Sequence, residues 1–415
     1  MQKQTSCITA YHEDNNVPGP SFDSETSNPS YPPNICAACA AALNAAQELT
    51  ELLQGPQQLL LSQLAGQQYI YHRLIDQFDI ARKVPLNGDV SYAELAAAIS
   101  LDESALRRVL RYAISNRFFA EKRPGYVSHS TASRALAEDP AMRDLAGFLL
   151  DEICAGERRA VDALVKWPGT QEPTETGYAL ALGTDFWTVM ANKPERARRF
   201  AGTMSQMTKG DDLSTRHVVD GYAWSSLGNS AKVVDIGGST GSIGFALAEK
   251  YPRLEIVVQD LPQTIAGAVQ RDGCNVRFMV HDMFEPQPVQ GADVYFYRWI
   301  FHDWPDKYCL RMLRALIAAL KPGARVVIMD AVMPSPGTVS NMMERTARYV
   351  RYSIGSEMDE EALTRCDLGC STWLWDPAST LRSGSLTNGR RCSLRRTPAL
   401  NSRVSGVRRD RDCRF

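Results

Sequence analysis

Residues 233–241 read Val-Val-Asp-Ile-Gly-Gly-Ser-Thr-Gly, an apolar run that passes through a glycine-rich turn into a helical pattern. Gly237, Gly238 and Gly241 let the backbone approach a ligand closely, and the start of the next helix favours an anionic group. The spacing is not the Gly-x-Gly-x-x-Gly of dinucleotide binders, and Asp235, an acid inside the strand, suits a cofactor without a pyrophosphate. About 20 residues further on, Gln259-Asp260-Leu261-Pro262 ends the next strand with a carboxylate that can accept both hydroxyls of a ribose. His281-Asp282-Met283 closes a third strand, with a carboxylate for the edge of adenine and an apolar side chain for its face. Singly, each aspartate is as readily a solvated strand-end acid. Jointly, three carboxylates at the carboxyl ends of successive parallel strands point to one nucleoside.

The elements that must hold these residues follow from the pattern. Near-continuous apolar runs at 232–237, 254–260, 276–282, 292–299 and 324–332 suit strands of a parallel sheet covered on both faces. Helices are expected between them at 243–250 and 306–320, the latter closed by Lys321-Pro322-Gly323. Upstream, 35–81 is helical in pattern, with Gly55-Pro56 breaking it and Leu49, Leu52, Leu53, Leu59, Leu60 and Leu64 forming a stripe suited to a partner subunit. Ser91-Tyr-Ala-Glu94 reads as a capping box for a helix to Ile99, and Asp102 or Ser104 caps another to Asn116. Residues 118–130 resemble a two-stranded wing. A helix, turn, helix and wing can read DNA through Arg107, Arg108 and Arg111, but Leu106, Val109, Leu110 and Ile114 make the second helix amphipathic, with the arginines as its solvated face. Residues 1–34, rich in Ser, Asn and Pro, are expected to be a disordered arm, and 168–176 a linker or loop.

With 415 residues the chain has length for two domains. Its formal net charge of -1 offers no global attraction to nucleic acid or anionic lipid. No apolar run approaches the roughly 20 residues that span a bilayer and no signal-peptide pattern opens the chain, so a cytoplasmic location is expected, with neither membrane nor nucleic acid as partner. Ten cysteines lack zinc spacing, and Cys36-x-x-Cys39 lies in an alanine-rich helical stretch, so no metal is expected.

The run 232–334 resembles the S-adenosylmethionine domain of plant caffeic acid type and fungal sterigmatocystin-type O-methyltransferases. Asp-Ile-Gly-Gly-Ser-Thr-Gly, Gln-Asp-Leu-Pro and Arg298-Trp-Ile-Phe-His302-Asp-Trp-Pro-Asp306 carry the likeness, which extends over about 69–348 through Arg107-Arg-Val-Leu-Arg111 and Tyr126-Val-Ser-His-Ser130. Ser239 stands where that family usually has a third glycine. The resemblance implies an α/β fold, a class I methyltransferase Rossmann-like parallel sheet with an N-terminal helical, winged-helix-like dimerisation domain. Implied boundaries are 35–176 for dimerisation and 177–348 for catalysis. It implies S-adenosyl-L-methionine bound by Asp235, Gly237, Gly238 and Gly241, by Asp260 and Leu261, by Asp282 and Met283, and beside Arg298 and Trp299. It implies His302 as the general base, Asp330 as the acceptor orienting its ring, a homodimer, and a small aromatic substrate methylated on a phenolic hydroxyl. Phe186, Trp187, Met204 and Met207 match a stretch that lines the family's pocket, and ordinary core is an equal reading. His12, His72 and His217 belong to no motif. The alternative function is a catalytically silent relative acting as an interaction or regulatory module.

Residues 349–415 depart from the family. Residues 381–415 contain ten arginines and no lysine where the family has a helix and a closing hairpin. A retained intron followed by an out-of-frame exon accounts for this, the competing reading being a genuine basic tail. Arg348-Tyr349-Val350 can encode a GTATGT donor, Ala362-Leu363-Thr364 a branch point and Leu368-Gly369 a CTAG acceptor. The shifted frame then permits a Glu-Arg-x-x-x-Glu-Trp segment whose first glutamate assists the base in the family. Without it the strand ending near Val332 is expected to be an exposed edge. Sequencing of the mature message should therefore show about 62 bases missing after codon 348. A message that keeps them, with full methyl transfer by the 415-residue product, would refute the proposal.

Overall fold

The computed structural model describes residues 2–23, 31–64, 68–208, 214–330, 336–345 and 348, together with two short strands at 371–375 and 390–393. By contacts the chain divides into two units, one of residues 1–221 with 302–305 and 331–357, the other of 222–301, 306–330 and 358–415.

The first unit opens with α1 (Gln2–Asp14) and α2 (Pro33–Leu64), the latter kinked at Gly55, whose φ of 65° and ψ of 178° interrupt the helix before Pro56. Residues 2–14 correct the expected disordered arm. Tyr11, His12 and Tyr31 contact one another edge to face, and His12 binds the Tyr31 hydroxyl at 2.9 Å and the Val17 carbonyl at 3.0 Å. These contacts order a segment whose composition alone does not. Residues 24–30 of that arm lie outside the described residues. The leucine stripe of α2 is open in the single chain, with Leu52, Leu53 and Leu64 each more than 70% exposed.

After α3 (Gln68–Gln77) and α4 (Ile80–Lys83) comes the winged segment: β1 (Val90–Ser91), α5 (Tyr92–Ile99), α6 (Glu103–Ser115), β2 (Phe119–Ala120) and β3 (Tyr126–His129), with strand order β1-β3-β2. The Ser91–Glu94 capping box forms with both bonds, and Asp102 caps α6 through the Ala105 N–H at 2.8 Å. Leu106, Leu110 and Ala113 bury one face of α6. On the opposite face Arg107 pairs with Glu103 and Arg111 with Glu121, so acids of the same unit occupy two of the three arginines a DNA reader would need. Helices α7 (Thr131–Glu138), α8 (Pro140–Phe148), α9 (Cys154–Lys166), α10 (Gly177–Leu182), α11 (Phe186–Asn192), α12 (Pro194–Met207) and α13 (Arg216–Gly221) follow, with a π-turn at Leu149–Ile153 joining α8 to α9.

The expected boundary at residue 176 shifts, since α10 to α13 group with the first unit. Gly177 lies so close to Gly156 and Ala160 of α9 that a Cβ there would strike their backbone. Arg198 of α12 grips Asp144 of α8 through two bonds of 2.9 and 3.0 Å.

In the second unit every expected strand forms: β4 (Lys232–Ile236), β5 (Glu255–Asp260), β6 (Val276–Val280), β7 (Val294–Arg298) and β8 (Arg325–Met329). These five pair in parallel in the order β8-β7-β4-β5-β6. Helices α14 (Ser242–Lys250), α15 (Pro262–Ala266) and α16 (Asp306–Leu316) connect them, and a 3-10 turn, Ile317–Ala319, completes the helical run expected over 306–320. The exposed-edge expectation for the last of these strands is corrected. β9 (Ser371–Trp375) pairs in parallel with β8, and β10 (Arg390–Ser393) runs antiparallel to β9. Backbone hydrogen bonding needs no particular side chain, so an atypical sequence can still occupy an edge. Residues 331–335, 349–370 and the rest of the tail, where the splice-site reading falls, lie outside the described residues.

Candidate active site

The glycine turn lies at the carboxyl end of β4 and is fastened to the end of β5. The Gln259 carbonyl accepts the N–H groups of Gly237 at 2.8 Å and Gly238 at 3.1 Å. Asp260 accepts the Ser239 N–H at 2.9 Å through Oδ2 and the Leu261 N–H at 2.8 Å through Oδ1. A carboxylate offers about four lone-pair positions, and with Ser239, Leu261 and the Thr264 side chain as donors one remains for a further donor. Burial raises the Asp260 carboxyl above its ordinary range, while its bonds to Leu261, Ser239 and Thr264 act in the opposite direction. Gln259 is itself held by a reciprocal amide pair with Gln287, 2.8 Å in both directions, a pairing that no local pattern marks.

The turn has no room for side chains. A Cβ on Gly238 would lie 2.6 Å from Asp235 Oδ2, and one on Gly241 would lie 2.8 Å from Phe278. Gly237, at φ 74°, faces Ile300, and Gly241, at φ 84°, caps α14. Ser239 adopts φ 52°, the left-handed region that favours glycine. A glycine preference at that position thus has a backbone cause.

Asp235 is buried on β4, and its Oδ2 has no hydrogen-bond partner. Burial pushes its carboxyl up to about 7, with Arg298 opposing and Asp260 reinforcing the shift. Arg298, pushed down to about 10 by burial, lies 3.9 Å from the centre of the Trp299 ring. Trp299 has φ 56°, unusual for a bulky residue, and donates its N–H to the Met329 carbonyl at 3.0 Å. Asp282 follows β6 in an exposed position and caps the turn that follows it through the Phe284 N–H at 2.9 Å, beside half-buried Met283. Leu261 is 40% exposed. The carboxyl ends of β4 and β5 therefore bring together Asp235, Gly237, Gly238, Gly241 and Asp260.

The fit to a nucleoside cofactor rests on these features: a cradle closed to Cβ atoms, remaining acceptor capacity on Asp260 and an orphaned buried carboxylate oxygen on Asp235. Among the described residues no group of three or more His, Cys, Asp or Glu can hold a metal ion.

His302 belongs to the first unit, while Asp330 is buried just after β8 in the second. His302 Nε2 lies 3.3 Å from Asp303 Oδ1, and both side chains are largely buried. Asp303 is a neighbour that sequence reasoning missed; its place inside the His-Asp-Trp motif was the available signal. Trp304 stacks on Trp187, with planes 6° apart and centroids separated by 5.9 Å. Phe186, Trp187, Phe148 and Phe200 form a connected ring cluster in the same unit.

Residues 164–360 match the O-methyltransferase domain family. O-methyltransferase gsfB of Penicillium aethiopicum is 38% identical over 360 residues, covering 85% of this chain and 85% of that protein. O-methyltransferase pyvH of Aspergillus violaceofuscus is 38% identical over 386 residues, with 88% of this chain and 87% of that protein covered. Among solved structures, that of LepI with SAM superposes at a TM-score of 0.68, with 23% identity, 89% of this chain and 92% of that chain covered. OxaC in complex with SAH and oxaline gives a TM-score of 0.68 at 21% identity, covering 88% of this chain and 91% of that one.

Ser239→Gly should raise stability by about 1 kcal/mol, because relief of a left-handed residue outweighs the added chain entropy of glycine. Urea denaturation monitored by fluorescence measures it. A lower midpoint at unchanged slope would show that Ser239 is not strained.

Proposed function

Because the chain belongs to the O-methyltransferase family, we propose that it is an S-adenosyl-L-methionine-dependent enzyme methylating a phenolic hydroxyl of an aromatic secondary metabolite. The observation that carries the cofactor assignment is the turn 237–241 fastened to Asp260 at the end of β5. When bound, the cofactor supplies an electrophilic methyl group on a sulfonium centre. Asp260 accepts a ribose hydroxyl with the capacity left beside Ser239, Leu261 and Thr264. Leu261, Asp282 and Met283 line the adenine position, and Asp235, Arg298 and Trp299 the remainder.

A phenol is a weak nucleophile until its proton is removed, and an imidazole titrates nearest to neutral pH among side chains. His302 takes that role. Asp303, 3.3 Å from Nε2, stabilises the imidazolium that forms. The orienting role of Asp330 rests on the family resemblance. The aromatic cluster ending in the Trp187–Trp304 stack offers flat faces to an aromatic acceptor. The silent-module alternative is not favoured, since the named relatives are O-methyltransferases. No helix among the described residues is long and apolar enough to cross a membrane, and we assign the protein to the cytoplasm. The open leucine face of α2 is assigned to a second copy of the chain, giving a homodimer. The tail from 349 onward is assigned to the retained intron and shifted frame.

Two substitutions separate binding from chemistry. Asp260→Ala should lose most affinity for S-adenosylmethionine by calorimetry, whereas His302→Ala should keep it and lose turnover on an accepted phenol by about 100-fold to 10,000-fold. Unchanged affinity in the first, or an unchanged rate in the second, removes that residue from its role. Light scattering should report twice the chain mass, and a monomer would reject the α2 interface.

A further inference from the structure

Behind the glycine turn, within the second unit, lies a buried amide pair to which the reading above gives no role. Gln259 and Gln287 are 0% and 3% exposed, and each side chain donates to the other at 2.8 Å. A third group fixes their orientation. The Val289 N–H, which can only donate, goes to Gln287 Oε1 at 3.0 Å. Gln287 Nε2 must then face Gln259 Oε1, and Gln259 Nε2 must face the oxygen that Val289 also uses. Gln259 Nε2 also meets Met279 Sδ at 3.4 Å, a weak acceptor that agrees with this assignment.

The pair joins two segments that both carry residues assigned to the nucleoside. Gln259 precedes Asp260, and its own carbonyl holds the N–H groups of Gly237 and Gly238. Side chains alternate along a strand, so Gln259 leaves β5 on the face opposite to Asp260. Gln287 belongs to the irregular stretch between β6 and β7 that also contains Asp282 and Met283, and its N–H goes to the Ala315 carbonyl of α16 at 3.0 Å. The glutamine is thus bound to helix and strand at once. Apolar side chains would fill the same volume with no preferred direction, whereas two complementary amides accept one register. Resting on the cofactor reading, we propose that Gln287 is a positioning residue for the S-adenosylmethionine site. Through Gln259 it aims the carbonyl that fastens the turn, and it keeps Asp260 in register with Asp282 and Met283. It acts through Gln259 and not by contact with the ligand.

Two measurements on the full chain test this: calorimetric titration with S-adenosylhomocysteine, and hydrogen exchange of the 236–242 segment in the ligand-free protein. Gln287→Met keeps an unbranched side chain but removes its donor and its oxygen acceptor. It should weaken binding about 10-fold, the size of one hydrogen bond, at unchanged stoichiometry. Exchange of the 236–242 segment should quicken in the same variant. Gln287→Glu supplies the rescue. Its protonated carboxyl can accept from Gln259 and Val289 and donate back to Gln259 Oε1, whereas its carboxylate sets one acceptor against another, and burial favours the protonated form. The Kd of this variant relative to the parent should therefore fall toward one between about pH 8 and about pH 6. A merely structural Gln287 would lower the fraction of chains that bind and leave Kd and its pH profile unmoved, and that result overturns the proposal. So does unchanged exchange of the turn in Gln287→Met, or a Gln287→Glu ratio that is flat with pH. Failure of the parent to bind S-adenosylhomocysteine is a separate outcome, and it removes the cofactor reading along with this one.

Discussion

The geometry of the second unit depends on one join, where the carboxyl end of β5 grips the turn after β4. Two N–H groups go to the Gln259 carbonyl and a third to Asp260, so three successive residues of the turn, 237–239, are held by two residues of the neighbouring strand. Backbone donors that would otherwise need water are satisfied by the protein, and the loop is organised before any ligand arrives. The Gln259–Gln287 amide pair fixes the strand end from behind. The close contacts of Gly237, Gly238 and Gly241 are consequences of this join: the backbone is drawn in until no Cβ fits.

The first unit uses charge for the same purpose of definition. Asp144 binds Arg198, Asp151 pairs with both Arg73 and Arg199, and Glu152 binds Arg196, so α3, α8, the π-turn and α12 are tied through largely buried acids. Such pairs recover little net energy after desolvation. Their effect is to select one register of helix against helix, because a shift by one residue would strand a buried charge. The aromatic ladder from Tyr178 to Trp304 lies on this framework, and its ring orientations follow from it.

Several of these features are absent from local pattern. α1 is ordered by rings of Tyr11 and Tyr31 separated by a long stretch of chain, and residues 1–34 otherwise have the composition of a free arm. The π-turn inserts between two ordinary helical patterns with no breaker residue to announce it. α10 to α13 carry no mark that assigns them to the first unit; the close approach of Gly177 to α9 does so. The strands β9 and β10 arise in a segment without alternation, because the free edge of β8 accepts any extended backbone.

By itself the sequence determined the five central strands to within a few residues, the capping box at Ser91, the cap at Asp102, and the residues of the glycine turn with Asp260 after it. It did so because apolar runs, caps and positive-φ positions are local requirements that only certain residue types meet. Tertiary structure alone decided that Ser239 takes a left-handed conformation and that one oxygen of Glu152 is left without a partner. Those outcomes depend on which distant groups arrive at the same place, and no spacing along the chain encodes a distance in space.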